Sequence, residues 1–231
     1  MNAASPAKVT ILIGSCALYL ADCFDVLHGL DGISVVVTDP PYGVDYRSGW
    51  ATDDLWSEGE IRGDADTAVR DRALAMLPGI PALVFGSRRR PEPAGTRLFL
   101  TWEKGAALGM GALDLPWKPS TEEIYVIGKG FVGRRDCGST IYCPPVQSMA
   151  KNGRRHPNQK PVDLIGRLLA KCPPGRVLDP FMGSGTTGVA CVKAGRPFIG
   201  IESDPVYFER AVDRITDAVA QPNLFLTGAT E

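Results

Sequence analysis

The stretch GRVLDPFMGSGTTGVACVKAGRPFIGIESDP, Gly175 to Pro205, decides the fold. Arg176–Leu178 read as a short strand, an apolar run bounded by turn residues. Gly183, Gly185 and Gly188 follow it directly with the spacing G-x-G-x-x-G. A helical pattern then runs through Thr187–Lys193, and Gly195 suits its C-terminal cap. Pro197–Ile201 read as a second strand with Glu202 at its end. Strand, glycine turn, helix, strand and terminal acid together make a βαβ unit that binds an adenosine-type cofactor. The glycines let a ligand approach the backbone, and the acid can accept bonds from ribose hydroxyls. A phosphate loop of the NTPase type is disfavoured, because the G-K-[ST] ending is missing.

NAD is a rival ligand, and position argues against it. After Glu202 the chain has room for one helix and a tail. Asp204 can cap that helix, Pro205 fits its first position, and Phe208, Ala211, Val212, Ile215 and Val219 form its apolar stripe. A doubly wound sheet needs more strands than this, so the rest must come from the N-terminal half. The sheet therefore begins in the middle of its usual order.

The N-terminal half holds a second signal, VVVTDPPYG, Val35 to Gly43. Val35–Val37 read as a buried strand. Pro40 and Pro41 then fix two successive φ angles and remove two backbone donors, so neither helix nor ladder continues. The result is a rigid elbow that holds Asp39 and Tyr42. A plain strand-to-turn junction would look the same in isolation.

Composition narrows the remaining classes. The chain has 231 residues, 44% hydrophobic and 22% charged, which is ordinary for a globular protein. No apolar run is long enough to span a bilayer and no signal peptide is read, so a soluble cytoplasmic protein is expected. The six cysteines include no C-x-x-C pair, and the histidines are His28 and His156. A structural zinc site or a disulfide framework is not expected. A net charge of −1 leaves nucleic-acid binding to local basic clusters. Candidates are Arg88–Arg90, Arg134 with Arg135, and Lys151 with Arg154 and Arg155.

The two signals meet in one resemblance. TDPPYG at Thr38–Gly43, HPNQKPVDLIGRLL at His156–Leu169 and VLDPFMGSGTTGVAC at Val177–Cys191 resemble the DNA amino-methyltransferases. D-P-P-Y ahead of the Gly-rich loop resembles the β group of that family. LYLADCFDVLHGL, PALVFGS, RLFLTWEKG and EEIYVIGKG resemble the intervening elements, so the likeness covers nearly the whole chain. It implies a single α/β domain over 1–231, a Rossmann-like S-adenosylmethionine-dependent methyltransferase fold in permuted order. The catalytic half is N-terminal and the cofactor loop C-terminal. The implied reaction is methyl transfer to the N6 amine of a flipped adenine in DNA.

The resemblance also implies roles. Asp39 and the Pro40 carbonyl accept the two N–H bonds of the target amine, Pro41 stiffens the elbow, and Tyr42 stacks on the base. Asp179, Gly183, Ser184, Gly185, Thr186 and Thr187 resemble the loop that holds the methionine part, with Phe181 against the cofactor. Glu202 resembles the ribose-binding acid, and Asp22 the acid that reads the cofactor's adenine amine. Asn158, Lys160 and Pro161 match N-x-K-P, near the methionine carboxylate. No metal is implied. The partner is DNA, double-stranded with a flipped base, with a homodimer as an open alternative.

Residues 44–80, with Trp50 and Trp56, are expected to form a mobile loop over the target base. Residues 131–155 are expected to form a short target-recognition segment, with Arg134, Arg135, Gln147 and Asn152 as readers. So small a reading surface predicts shallow sequence discrimination. Three alternatives stay open: a cytosine-N4 enzyme, an RNA or protein methyltransferase, and an inactive nucleic-acid-binding protein that keeps the fold. Asp at position 39 favours adenine over cytosine by family resemblance.

Overall fold

The computed structural model describes residues 9–41, 66–105, 114, 116–146 and 159–221. Tyr42, Trp50, Trp56, the 44–65 part of the expected loop and residues 147–158, with Gln147, Lys151, Asn152, Arg154, Arg155 and Asn158, lie outside them.

Among the described residues, nine strands form one sheet. They are β1 (Val9–Ile13), β2 (Cys16–Leu20), β3 (Ile33–Thr38), β4 (Ala82–Gly86), β5 (Thr96–Glu103), β6 (Thr121–Ile127), β7 (Thr140–Tyr142), β8 (Arg176–Asp179) and β9 (Phe198–Glu202). Their spatial order is β1-β2-β9-β8-β3-β4-β6-β5-β7. The run β2-β9-β8-β3-β4 is parallel, and β1 and β6 add antiparallel neighbours to its two ends. The expected α/β sheet of mixed order is therefore present. The C-terminal βαβ unit sits at its centre, and the N-terminal half supplies strands to both sides.

Alternation along the strands sends side chains to two cores. Val35, Val37, Leu83, Phe85, Val177 and Phe198 pack with α3 (Val162–Leu169), α4 (Thr186–Lys193) and α5 (Pro205–Ala220). Val36, Val84, Leu178, Ile199 and Ile201 face the other way, against α1 (Cys23–Leu27), Ala73 of α2 (Ala68–Ala75) and Leu77 just beyond it. The central strands are apolar on both faces, as a sheet covered by helices on each side requires.

The helix ends follow the sequence signals. Asp204 accepts from the Val206 and Tyr207 N–H groups at 2.8 and 3.1 Å, and Pro205 opens α5. Phe208, Ala211 and Ile215 are buried on its stripe, whereas Val219 is 44% exposed.

Two expectations change. The end of the 44–80 segment is not loop, because Ala68–Ala75 are helical and their chain start is tied by Asp66 Oδ1 to the Ala68 N–H at 2.8 Å. The helix carried no apolar period because its buried positions are Ala73 and a charged residue, Arg70. Arg70 is 3% exposed and pairs with Asp71 at 2.7 Å and the Pro91 carbonyl at 3.0 Å.

The 131–155 segment is also divided. Val132 N–H donates to the Lys171 carbonyl at 2.9 Å, and Lys171 Nζ reaches the Arg134 carbonyl and Asp136 at 2.7 and 2.6 Å. Lys171 lies beyond the end of α3, just before β8 begins. Arg134 and Arg135 therefore sit at the end of the sheet where the parallel strands start, opposite Asp39. The chain then climbs through β7, parallel to β5, back toward the other end.

Candidate active site

The parallel strands diverge at one place. From β8 the chain winds outward through α4 to β9, and from the adjacent β3 it winds the other way through α2 to β4. A crevice outside the carboxyl ends of two such strands is where open α/β sheets bind ligands. The elbow after β3 and the glycine loop after β8 both open onto it. Thr38 Oγ1 donates to Asp179 Oδ1 at 2.7 Å, a buried bond across 141 residues of chain that locks the two strand ends together.

The candidate residues form a row along the carboxyl ends of four neighbouring strands. Asp22 follows β2, Glu202 ends β9, Asp179 to Thr187 end β8, and Asp39 follows β3. With adjacent strands about 4.8 Å apart, the row runs roughly 14 Å. The resemblance assigned these groups to adenine, ribose, methionine and target amine. They stand in that order in space although their order in the chain is different. Among the described residues no cluster of His, Cys, Asp and Glu has the makings of a metal site.

Each group has protein partners as well. Asp22 caps α1, its Oδ1 accepting from the Phe24 N–H at 3.0 Å. Glu202 accepts the Gly183 N–H at Oε2 (2.9 Å) and the Ser203 and Asp204 N–H groups at Oε1 (2.8 Å each). It thus ties the glycine loop to the corner before α5 and retains acceptor capacity at Oε2. Burial pushes its carboxyl up, and these N–H groups pull it back. Phe181 is half-buried against the core between sheet, α1 and α2, and its N–H donates to Asp179 Oδ1 at 3.1 Å.

The hydroxyls of the loop are engaged within the protein. Ser184 Oγ and Thr186 Oγ1 accept from Arg214 of α5 at 2.8 and 3.2 Å, and the same guanidinium also holds the Ser184 carbonyl. Thr187 bonds Asp179. The sequence reading missed Arg214, which sits on the flank of a helix recognised only by its apolar stripe.

The glycines divide their work. Gly185 has φ +78°, a left-handed conformation that disfavours any side chain. A Cβ there would also stand 2.9 Å from Ala211 Cβ. At Gly188 it would stand 2.5 Å from the end of Ile215. These two positions serve the contact with α5, so the loop backbone and α5 pack directly.

Lys160 departs most from expectation. Its Nζ pairs with Asp39 Oδ2 at 2.7 Å and with Glu122 Oε1 of β6 at 2.7 Å, and Glu122 also pairs with Lys104 at 2.7 Å. The resemblance placed Lys160 near the methionine carboxylate; in the fold its ammonium rests on Asp39, at the elbow after β3. Pro161 caps α3 at the next position. Pro40 is buried and Pro41 half-buried, which braces Asp39 at the crevice with 27% of its side chain exposed.

Asp179 titrates far from an ordinary carboxyl. Burial pushes it up from 3.8 to about 7, against hydrogen bonds from Thr38, Thr187 and the Phe181 N–H. A raised acid contributes stability fully below its unfolded value and loses it as pH rises through the folded value. Asp179→Asn keeps the Thr38 and Phe181 bonds at Oδ1 and abolishes the titration. Its stability should fall less than the wild-type stability between pH 4 and pH 8, by up to about 4 kcal/mol at 1.36 kcal/mol per pKa unit. Urea unfolding across that range is the measurement, and parallel curves for the two proteins would contradict it.

Comparison with known proteins gives the chain a family. The family model described as DNA methylase, of the N6/N4 type, matches residues 87–213, more than half of the chain. The DNA adenine methyltransferase YhdJ of Escherichia coli (strain K12) is 43% identical over 74 residues, 31% of this chain and 25% of that protein. The match thus takes in about a quarter of that relative's length. The crystal structure of the M1.HpyAVI–SAM complex is 25% identical at a TM-score of 0.58, covering 86% of this chain and 99% of that one. The cytosine-N4-specific PvuII DNA methyltransferase superposes at a TM-score of 0.62 over 88% of this chain and 91% of its own, at 16% identity, a likeness of fold alone. A chain whose glycine loop and acidic elbow share one crevice, and which fits that model over more than half its length, belongs to the N6/N4 DNA methylase family.

Proposed function

We propose that the protein transfers a methyl group from S-adenosylmethionine to the N6 amine of an adenine flipped out of duplex DNA. The observation that carries this reading is the Thr38–Asp179 bond of 2.7 Å, which joins the elbow after β3 to the glycine loop after β8. S-adenosylmethionine supplies a methyl group already activated by its sulfonium. The protein's part is to present the amine. The exocyclic nitrogen is a poor nucleophile, because its lone pair is delocalised into the ring. Asp39 and the Pro40 carbonyl accept its two N–H bonds, favour a pyramidal nitrogen and aim the lone pair at the methyl carbon. A new N–C bond forms as the C–S bond breaks, the electron pair stays on sulfur, and one amine proton is released. Rigid acceptors need little reorganisation as positive charge builds on nitrogen. Asp22, Glu202 and the Gly183–Thr187 loop hold the cofactor in this reading, with Phe181 against it, and the family resemblance adds Tyr42 for the base and Asn158 for the cofactor.

Incubation with labelled S-adenosylmethionine and DNA, RNA or protein identifies the substrate class. Mass spectrometry of digested DNA then reads the product. N6-methyladenine is expected, and N4-methylcytosine as the main product would overturn the adenine assignment.

The fold also favours one basic cluster over another. Arg88–Arg90 follow β4, at the same end of the sheet as Asp39, with Arg88 anchored to Glu123 at 2.6 Å. Arg134 and Arg135 stand at the far end. Replacing Arg89 and Arg90 by Gln should reduce the slope of log affinity against log salt by about 1 for each phosphate that an arginine no longer neutralises. The Arg134→Gln/Arg135→Gln protein should keep the wild-type slope. Titrations of duplex DNA at several salt concentrations decide, and the reverse pattern would return recognition to the 131–136 segment.

A further inference from the structure

Lys160 carries a full charge in a place that ordinarily excludes one. It is 5% exposed, and its Nζ lies 5.0 Å from the centre of the Phe85 ring. Burial alone would push its proton off, yet Asp39 and Glu122 hold it above the usual lysine range. Burial likewise pushes Glu122 up, and Lys160 with Lys104 brings it below an ordinary carboxyl. Lys104 lies in turn 4.7 Å from the Trp102 ring centre. Four charges of alternating sign, Asp39, Lys160, Glu122 and Lys104, thus run from the elbow after β3 to the end of β5, each joined to the next at 2.7 Å.

Desolvating a lysine and a glutamate is costly, and simple stability does not demand it. The pairs do give Asp39 something that the elbow cannot. Two prolines fix the backbone but leave the Asp39 side-chain rotamers to chance. We propose that Lys160 and Glu122 are positioning residues for the target amine: Lys160 holds one Asp39 oxygen, and Glu122 sets how strongly. This rests on the assignment of Asp39 as amine acceptor. A lone ammonium beside Asp39 would drain its acceptor strength just as positive charge builds on the amine. Glu122 shares that ammonium and restores the negative character of Asp39.

The chain of charges predicts opposite effects from its two inner members. Asp39 faces Lys160 from just before α3 and Asp179 from β8, with Glu122 and Lys104 behind. Protonation of Asp39 removes the anionic charge and leaves a weaker carbonyl acceptor, so the rate falls on the acid side. Lys160→Met removes the cation and moves that acid limb to higher pH. Glu122→Gln removes the competing anion and moves it to lower pH. Asp179 is common to both proteins and cannot produce opposite shifts. Turnover should fall about 100-fold in Lys160→Met, within the range for loss of one preorganised interaction, and less in Glu122→Gln. Lys160→Arg should recover part of the loss.

Cofactor affinity is the separate readout. By calorimetry, both variants should bind S-adenosylmethionine within about threefold of wild type. If Lys160→Met is poorly folded, Lys160→Met/Glu122→Gln removes both buried charges and should show the same turnover deficit. Weakened cofactor binding in step with turnover would return Lys160 to the methionine carboxylate and overturn the proposal. So would acid limbs that stay in place, or wild-type turnover in Lys160→Met. An unaltered protein inactive on every DNA overturns the Asp39 assignment and this proposal together. Turnover that survives the loss of Lys160 overturns this proposal alone.

Discussion

Asp39→Ala is expected to lower the methylation rate by roughly 10²–10³, the cost of one preorganised electrostatic interaction, while S-adenosylmethionine still binds within a few fold of wild type. The separation follows from the architecture. Asp39 stands after β3, whereas the groups proposed to hold the cofactor lie at the ends of β8, β9 and β2. Its loss leaves Lys160 still paired with Glu122 at 2.7 Å, a carboxylate that Lys104 shares. Single-turnover rates and calorimetry on the same preparation provide the test. Parallel loss of binding and rate would make Asp39 a structural residue. Glu202→Ala cannot be as clean. That carboxylate holds the Gly183, Ser203 and Asp204 N–H groups, so cofactor affinity and the loop itself should weaken together.

Gly185→Ala is expected to be the most damaging single methyl group in the cofactor half. Two costs add. The backbone at φ +78° is left-handed, about 1–2 kcal/mol for a residue with Cβ. The new Cβ would meet Ala211 Cβ at 2.9 Å and Cα at 3.1 Å, and the backbone of α5 cannot swing aside as a flexible side chain could. Overpacking of this kind costs about 1–3 kcal/mol. Together they give roughly 2–5 kcal/mol, or about 4–20 °C in Tm for a domain of this size. Gly188→Ala should cost less, since its φ is not left-handed and its contacts are the end of the Ile215 side chain and the edge of Phe198 rather than backbone. Thermal melts that rank the two variants the other way would mean that α5 shifts away from the loop as a body.

The central βαβ unit was legible because each of its signals is local. Strand, glycine turn and helix are set by φ preferences and by apolar spacing over a few residues, and β8, α4 and β9 fall within a residue or so of the expected bounds. Asp204 and Pro205 opened α5 for the same reason, since a cap acts on the N–H groups two and three residues ahead. The double proline likewise ended β3 where it stands. The helix α2 escaped notice because burying a charged residue, Arg70, erases the apolar period that marks a helix.

Partnerships between distant segments belong to the tertiary structure alone. Nothing near Lys160 in the chain says that its ammonium will rest on Asp39 and Glu122, or near Arg214 that it will grip Ser184 and Thr186. Long charged side chains reach across elements, and their partners depend on strand order and register. The same holds for Arg134 and Arg135, which local composition made readers of DNA and which the climb of the chain from the end of β6 to β7 puts at the opposite end of the sheet. The sequence by itself determined the central βαβ unit, its glycine turn and the acidic elbow, because those are written in local backbone chemistry. The sheet order decided which charges meet, because ion pairs are made through space.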